Sequence, residues 1–249
     1  MIQVSNLRLS AALWLAGMFG VVVLTLTVIP QLLRGLHSPV PLSVAVTASL
    51  VQSGVLLALA AWLGATLSRP LGLRAPATEA ALSGSSIWAA SKPQLIPGVL
   101  IGLAAGAVLL IAMQAAPPEL QSAGSAFHIP ASAKLLYGGI TEEILMRWGL
   151  MTLIAWLAWR FLQQRKGSPR PGYMGGAILI AALLFGIGHL PAVAAMGLNL
   201  TPSVAAYVLI GNIVPGALFG FSYWRWGLES AFIAHATAHL AAIVAGAAV

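Results

Sequence analysis

The chain has 249 residues, 59% of them apolar and only 7% charged, with a net charge of +7 and a mean hydropathy of +0.94. A soluble domain carries about 25% charged residues, so this composition excludes one and points to an all-α, polytopic transmembrane helical bundle. At roughly 20 residues per span the length accommodates about seven spans with their loops. The 12 Lys and Arg stand singly or in small groups beside apolar runs. That pattern encodes membrane topology, so membrane lipids are expected partners and nucleic acid is not. The absence of cysteine removes disulfides, thiolate nucleophiles and Cys metal sites together.

In chain order, the first apolar run is expected over about 9–29, closed by Pro30. It is too long for the apolar region of a cleaved signal, and Pro30-Gln31-Leu32-Leu33-Arg34 offers no small-residue cleavage site, so it reads as a retained signal anchor. Span two is expected over about 42–67, stopped by Arg69-Pro70. A polar interval, about 69–93, contains Arg74, Glu79, Lys92 and the cluster Ser83-Gly84-Ser85-Ser86, with Ile87-Trp88 suited to a membrane interface. This interval divides the chain into accessory N-terminal helices, 1–93, and a bundle that carries the chemistry, 94–249.

Span three, about 95–115, contains Gly102-x-x-x-Gly106, a small-residue face that lets helices approach closely. Spans four to seven are expected over about 134–162, 173–190, 203–222 and 228–247. Span five finishes before Pro191, and span six contains Gly216-x-x-x-Gly220. His37 and His128 fall in loops and read as solvated. Trp14, Trp62, Trp148, Trp156, Trp159, Trp224 and Trp226 read as interface-belt or packing residues.

Counting cations orients the bundle. Arg8, Arg69, Arg74, Lys92, Arg160, Arg165, Lys166, Arg170 and Arg225 would share one face, against Arg34 and Lys134 on the other. The excess predicts a cytoplasmic N-terminus, in a bacterial inner membrane.

The informative stretch is Thr141-Glu142-Glu143-Ile144-Leu145-Met146-Arg147, at the beginning of span four. An ionisable group at membrane depth costs roughly 2.5–3.5 kcal/mol or more unless paired or wet, so three of them in six positions point to use. Glu143 and Arg147 are four apart, the spacing of an ion pair along a helix. Glu142 is turned about 100° from Glu143 in an α-helix, which leaves it to face a cavity as general base. His189 lies at the end of span five, and antiparallel packing brings it to the level of the glutamates. His235 and His239 are also four apart, so both imidazoles can converge on one point. Neutral imidazoles at that spacing suit a polarised water or a divalent metal such as zinc, with His189, His235 and His239 as the ligand set. The intervening Glu of the H-E-x-x-H zinc signature is absent.

Three motifs now stand in order: Glu142-Glu143-x-x-x-Arg147, Phe185-x-x-x-His189, and His235-x-x-x-His239. In this respect the sequence resembles the CAAX prenyl protease and bacteriocin-processing (Abi) family of intramembrane proteases, over roughly 131–249. The resemblance implies hydrolysis of a peptide bond in a peptide or protein substrate, which in this family can be lipidated. It implies that Glu142 and His189 activate the attacking water, and that His235 with residue 239 stabilises the oxyanion. It also implies that Glu143 and Arg147 belong to the catalytic constellation. The family motif has Asn or Asp where this chain has His239. Prenyl-protein substrates are met from the cytosol, whereas the cation count puts this site in the outer half of the bundle. Two other classes use buried Glu, His and Arg: a proton- or metal-coupled transporter, and a catalytically idle immunity or scaffold protein. A transporter usually carries two related halves with matching broken helices, and no such repeat is visible in the sequence.

Overall fold

Prolines open helices in this chain far more than they close them. The computed structural model describes residues 4–35, 39–121 and 129–247; His37 and His128 lie outside them. The helices are α1 (Asn6–Gly35), α2 (Leu42–Leu67), α3 (Pro76–Ser83), α4 (Ile87–Gln114), α5 (Ala131–Leu162), α6 (Pro171–Ala195), α7 (Pro202–Trp226) and α8 (Leu228–Ala247). Pro76, Pro171 and Pro202 occupy first-turn positions, where the missing N–H is no loss. Ser86 and Thr201 cap α4 and α7 by accepting from Ala89 N–H and Val204 N–H at 3.2 and 3.3 Å. No strand occurs among the described residues.

Seven helices, all but α3, are long and apolar enough to cross a membrane. The expected ends differ in three places. The first helix runs through Pro30 to Gly35, and α6 runs through Pro191 to Ala195. In hydrocarbon an unwound backbone would leave its polar groups without partners, so the helix continues past the proline. Ile87 and Trp88 are the first turn of α4, which runs on through Pro93 and Pro97. The polar interval holds the short helix α3, which the sequence reading leaves as loop. The chain position that separates the two expected parts, 93/94, falls within α4.

The most polar helix is the central one. α5 touches α1, α2, α6, α7 and α8, and its buried polar side chains fasten it to most of them. Thr141 donates to the Gly17 carbonyl at 2.6 Å on α1, and the Trp148 indole donates to Ala61 O at 3.1 Å on α2. Thr152 and Tyr223 share a 2.9 Å hydroxyl bond to α7. Polar side chains bonded across helices in this way fix a rotation that apolar packing alone leaves loose. Much of α5 is wound wide, with i→i+5 hydrogen bonding over Lys134–Glu142, Ile144–Met151 and Ala158–Leu162. Such winding is rare and is frequently found at functional sites.

α4 lies against α8 along small residues. A Cβ on Gly102 would come within 2.5 Å of the Ala234 carbonyl, so only glycine permits this approach. The same face continues to Gly98 and Gly106, which meet Ile233 and Ala241. Leu15, Phe19, Ile96, Leu100, Leu179 and Ile210 are exposed and form the lipid-facing rim.

Candidate active site

Between the later part of α1, the first half of α5, the end of α6 and the middles of α7 and α8 lies a cavity of about 500 Å³. Its walls are mostly apolar: Leu24, Val28, Leu109, Leu184 and Met196 among others. Polar side chains gather in it, namely Lys134, Tyr137, Glu142, His189, Asn212, His235 and His239. Four of the six residues singled out from sequence therefore line one space. Glu143 and Arg147 do not; they are buried behind the wall at 0% and 2% exposure.

The wide turns of α5 alter the angular step assumed for an α-helix, yet the adjacent carboxylates still part. Glu142 is 18% exposed and faces the cavity. Glu143 points into protein, where its Oε1 accepts from Arg147 Nη1 at 2.8 Å and from His235 Nδ1 at 2.8 Å. Arg147 in turn donates from Nη2 to the Gly216 carbonyl of α7 at 2.9 Å. Its guanidinium lies over the rings of Phe185 and Phe219 at 4.9 and 5.5 Å. Gly216 has no side chain to obstruct this: a Cβ there would sit 3.2 Å from Arg147 Nη2. A buried ion pair is weak evidence for stability, because desolvation offsets much of its attraction. Here the pair has a second consequence: it holds an imidazole.

A carboxylate only accepts hydrogen bonds, so the proton of neutral His235 is on Nδ1 and Nε2 presents its lone pair. That Nε2 faces Glu142 Oε2 across 4.0 Å. His235 is fixed further by stacking on Phe219, with ring centroids 4.4 Å apart and planes at 20°. His239 stacks on its other side at 4.8 Å and 27°. Gly138 makes room for that ring, since a Cβ on it would approach His239 Nε2 to 2.7 Å. His189 sits edge-on to Phe185 and its Nδ1 donates to the Phe185 carbonyl at 2.8 Å, leaving its Nε2 an acceptor as well.

The metal expectation fares differently. Among the described residues no three His, Cys, Asp or Glu are grouped so as to hold an ion. His235 and His239 are stacked, with ring centroids 4.8 Å apart and planes at 27°, and Nδ1 of His235 is taken up by Glu143. The described residues as arranged do not fit a zinc site.

Sequence reasoning passed over Asn212. It lines the cavity and donates from Nδ2 to Val208 O at 2.8 Å, one turn back, which leaves its second amide hydrogen free. The signal was available: an amide alone in Val208-Leu209-Ile210-Gly211-Asn212-Ile213-Val214 is costly at membrane depth unless it is hydrogen-bonded, though less so than a charge. Phe219, which fixes both His235 and Arg147, gave no signal at all.

No curated protein and no solved structure matches this chain. The family described as type II CAAX prenyl endopeptidase, Rce1-like, matches residues 125–241, which contain α5 to α8 up to His239 and thus all six of the motif residues. Over that stretch, a little under half of its length, the chain is similar to the Rce1-like family of CAAX prenyl endopeptidases.

Proposed function

We propose that the chain is an intramembrane endopeptidase in which Glu142 activates a water for attack on a peptide carbonyl. The match of residues 125–241 to a protease family supports the reaction class. The observation that carries the finer reading is the 4.0 Å separation between Glu142 Oε2 and His235 Nε2 on the cavity wall. Two acceptors that far apart do not bond directly, but one water can donate a hydrogen to each. His189 Nε2, on the wall of the same cavity, is an alternative acceptor for the second of that water's two hydrogens.

The donor ledger then decides the remaining roles. In attack, the water oxygen bonds to the carbonyl carbon, its proton passes to Glu142, and the carbonyl oxygen becomes an oxyanion. Neutral His235 has no hydrogen on Nε2 to offer that oxygen. Its part in the resting site is to orient the water, in a role that Glu143 imposes through Nδ1. Asn212 and His239 carry the neutral N–H donors of the cavity, and we assign oxyanion stabilisation to them. A well-placed donor typically contributes about 3–4 kcal/mol to the barrier. Collapse of the tetrahedral species breaks the C–N bond as the proton on Glu142 moves to the departing nitrogen, and both carboxyl and amine products leave.

The apolar remainder of the cavity suits a hydrophobic or lipidated segment beside the scissile bond. The cation distribution supports an inner-membrane protein with its N-terminus in the cytoplasm, and the likeness to bacteriocin-processing proteins supports a bacterial membrane. The test is purified protein in detergent, offered a pool of quenched-fluorescent peptides. Cleavage by the wild type and none by Glu142→Gln is expected. Asn212→Asp, which keeps the shape and removes the donor, is expected to lower kcat by about 10²-fold with little change in KM. Undiminished cleavage by Glu142→Gln would sink the mechanism.

A further inference from the structure

The two ends of the bundle differ in charge, and the cavity belongs to only one of them. Alternate helices run in opposite directions, so the C-terminal halves of α1, α4 and α6 share an end with the N-terminal half of α5. The cavity is lined by Val28 and Leu32 of α1, Leu109 of α4, Lys134 and Glu142 of α5, and Ala195 of α6. No residue of the opposite end, from the 68–86 connection, the 163–170 loop or the α7–α8 link, takes part in it. That opposite end carries nine of the cations, while the cavity end carries Arg34 and Lys134. Lys and Arg are retained on the cytoplasmic side of membrane proteins, within about 15–20 residues of the spans, and all nine meet that condition.

We infer that the catalytic cavity opens toward the non-cytoplasmic side. The substrate, on the endopeptidase reading proposed above, is a polypeptide segment that has already crossed the membrane or is anchored in its outer leaflet. A peptide presented from the cytosol meets the cation-rich end, whose own cleft beside Arg69, Arg74 and Glu79 shares no lining residue with the catalytic cavity. This separates the chain from enzymes whose lipidated substrates are met on the cytosolic side, although the chemistry of the two would be the same. The apolar lining near Leu24, Val28 and Met196 would accept a membrane-embedded flank of such a segment.

The absence of cysteine makes the chain ready for site-directed labelling, because the unsubstituted protein is a blank. Single cysteines go at Glu119 and Asn199 on the cavity end and at Ser85 and Ser168 on the other, all exposed positions. A membrane-impermeant maleimide is applied to intact cells that produce each variant. Labelling of Glu119→Cys and Asn199→Cys in intact cells, with Ser85→Cys and Ser168→Cys labelled only after permeabilisation, is the expected result. The reverse pattern, or equal labelling of both ends in intact cells, overturns the inference. A second arm offers the quenched-fluorescent peptides to right-side-out and to inverted membrane vesicles, with Glu142→Gln vesicles as the blank. Cleavage confined to right-side-out vesicles is expected, and cleavage confined to inverted ones overturns it. Cleavage in neither, and none in detergent, sinks the endopeptidase reading, while the labelling pattern still decides which way the cavity faces.

Discussion

The catalytic cavity lies in one half of the bundle and is sealed off from the cation-rich end, whose cleft beside Arg69, Arg74 and Glu79 shares no lining residue with it, and polar residues are used differently in the two. At the cation-rich end polar groups are spent on closing helix ends and connections, although Asn6 Oδ1 and Glu229 Oε2 are buried there without a hydrogen-bond partner among the described residues. Glu229 accepts from Thr78 N–H and Oγ1 at 2.9 and 2.8 Å, Leu228 N–H donates to Arg74 O at 3.0 Å, and Ser230 N–H donates to Gln94 at 3.0 Å. Gln163 ties its own loop by donating to the carbonyls of Lys166 and Ser168 and accepting from Arg170 N–H. These bonds close helix ends and order connections. In the cavity half, Glu142, Asn212 and the Nε2 atoms of His189 and His235 keep acceptor or donor capacity in hand on a cavity wall. Satisfied polar groups hold a fold together; groups held in place with capacity left over are able to do chemistry.

The largest effect that bears on this contrast is on Glu142. Glu142→Gln should cut peptide cleavage by about 10²–10⁴-fold, the usual contribution of a general base, with an unchanged melting temperature in detergent. A variant that melted several degrees lower would move Glu142 to the structural class. Arg147→Ala should act in the opposite sense on stability. It takes away the one cation beside the buried carboxylate Glu143, whose Oε1 is left with His235 alone and whose Oε2 has no hydrogen-bond partner among the described residues, and it removes the donor to Gly216 O. Removal of one member of a buried pair costs about 3–5 kcal/mol, so the melting temperature should drop sharply and activity with it. An unaltered melting curve would mean that the pair is not part of the frame.

How much of this was legible beforehand follows the same division. Seven spans, the i,i+4 pairing of Glu143 with Arg147 and the nearness of the motif residues are visible in sequence because each rests on local period or on the cost of charge in oil. The helix ends at Pro30 and Pro191 were misplaced because proline's local cost is overridden where water is absent. The bond from His235 to Glu143 joins residues 92 positions apart and was out of reach. So, with it, was the consequence that His235 offers a lone pair to the cavity. Asn212 was missed for a different reason: its lone amide among apolar residues was visible, but it belongs to no motif and was not weighed, and only the packing of α7 against α5 and α8 puts it in the cavity.

A milder effect should come from the cation-rich end. Thr78→Val removes a hydroxyl donor from Glu229 and leaves the backbone N–H in place. A loss of about 1–3 kcal/mol in stability is expected, with the cleavage rate per folded molecule unchanged. A fall in that rate without a fall in stability would show that the ends are coupled, and the division drawn between them would not hold.

The smallest effect is expected at His239, where this chain departs from the family pattern. His239→Asn replaces the outer ring of the Phe219–His235–His239 stack with a shorter amide. An aromatic contact is worth about 0.5–1.5 kcal/mol beyond its buried area, so a slight loss of stability follows. The amide carries two N–H donors, which keeps available the only property the oxyanion requires of this position. Activity should therefore stay within about tenfold of the wild type, whereas His239→Leu, which has no donor, should lose more than His239→Asn. If His239→Asn were as inactive as Glu142→Gln, and elemental analysis found zinc in the wild type but not in the variant, residue 239 would be a metal ligand. The cavity half would then be organised around an ion and not around a water between Glu142 and His235.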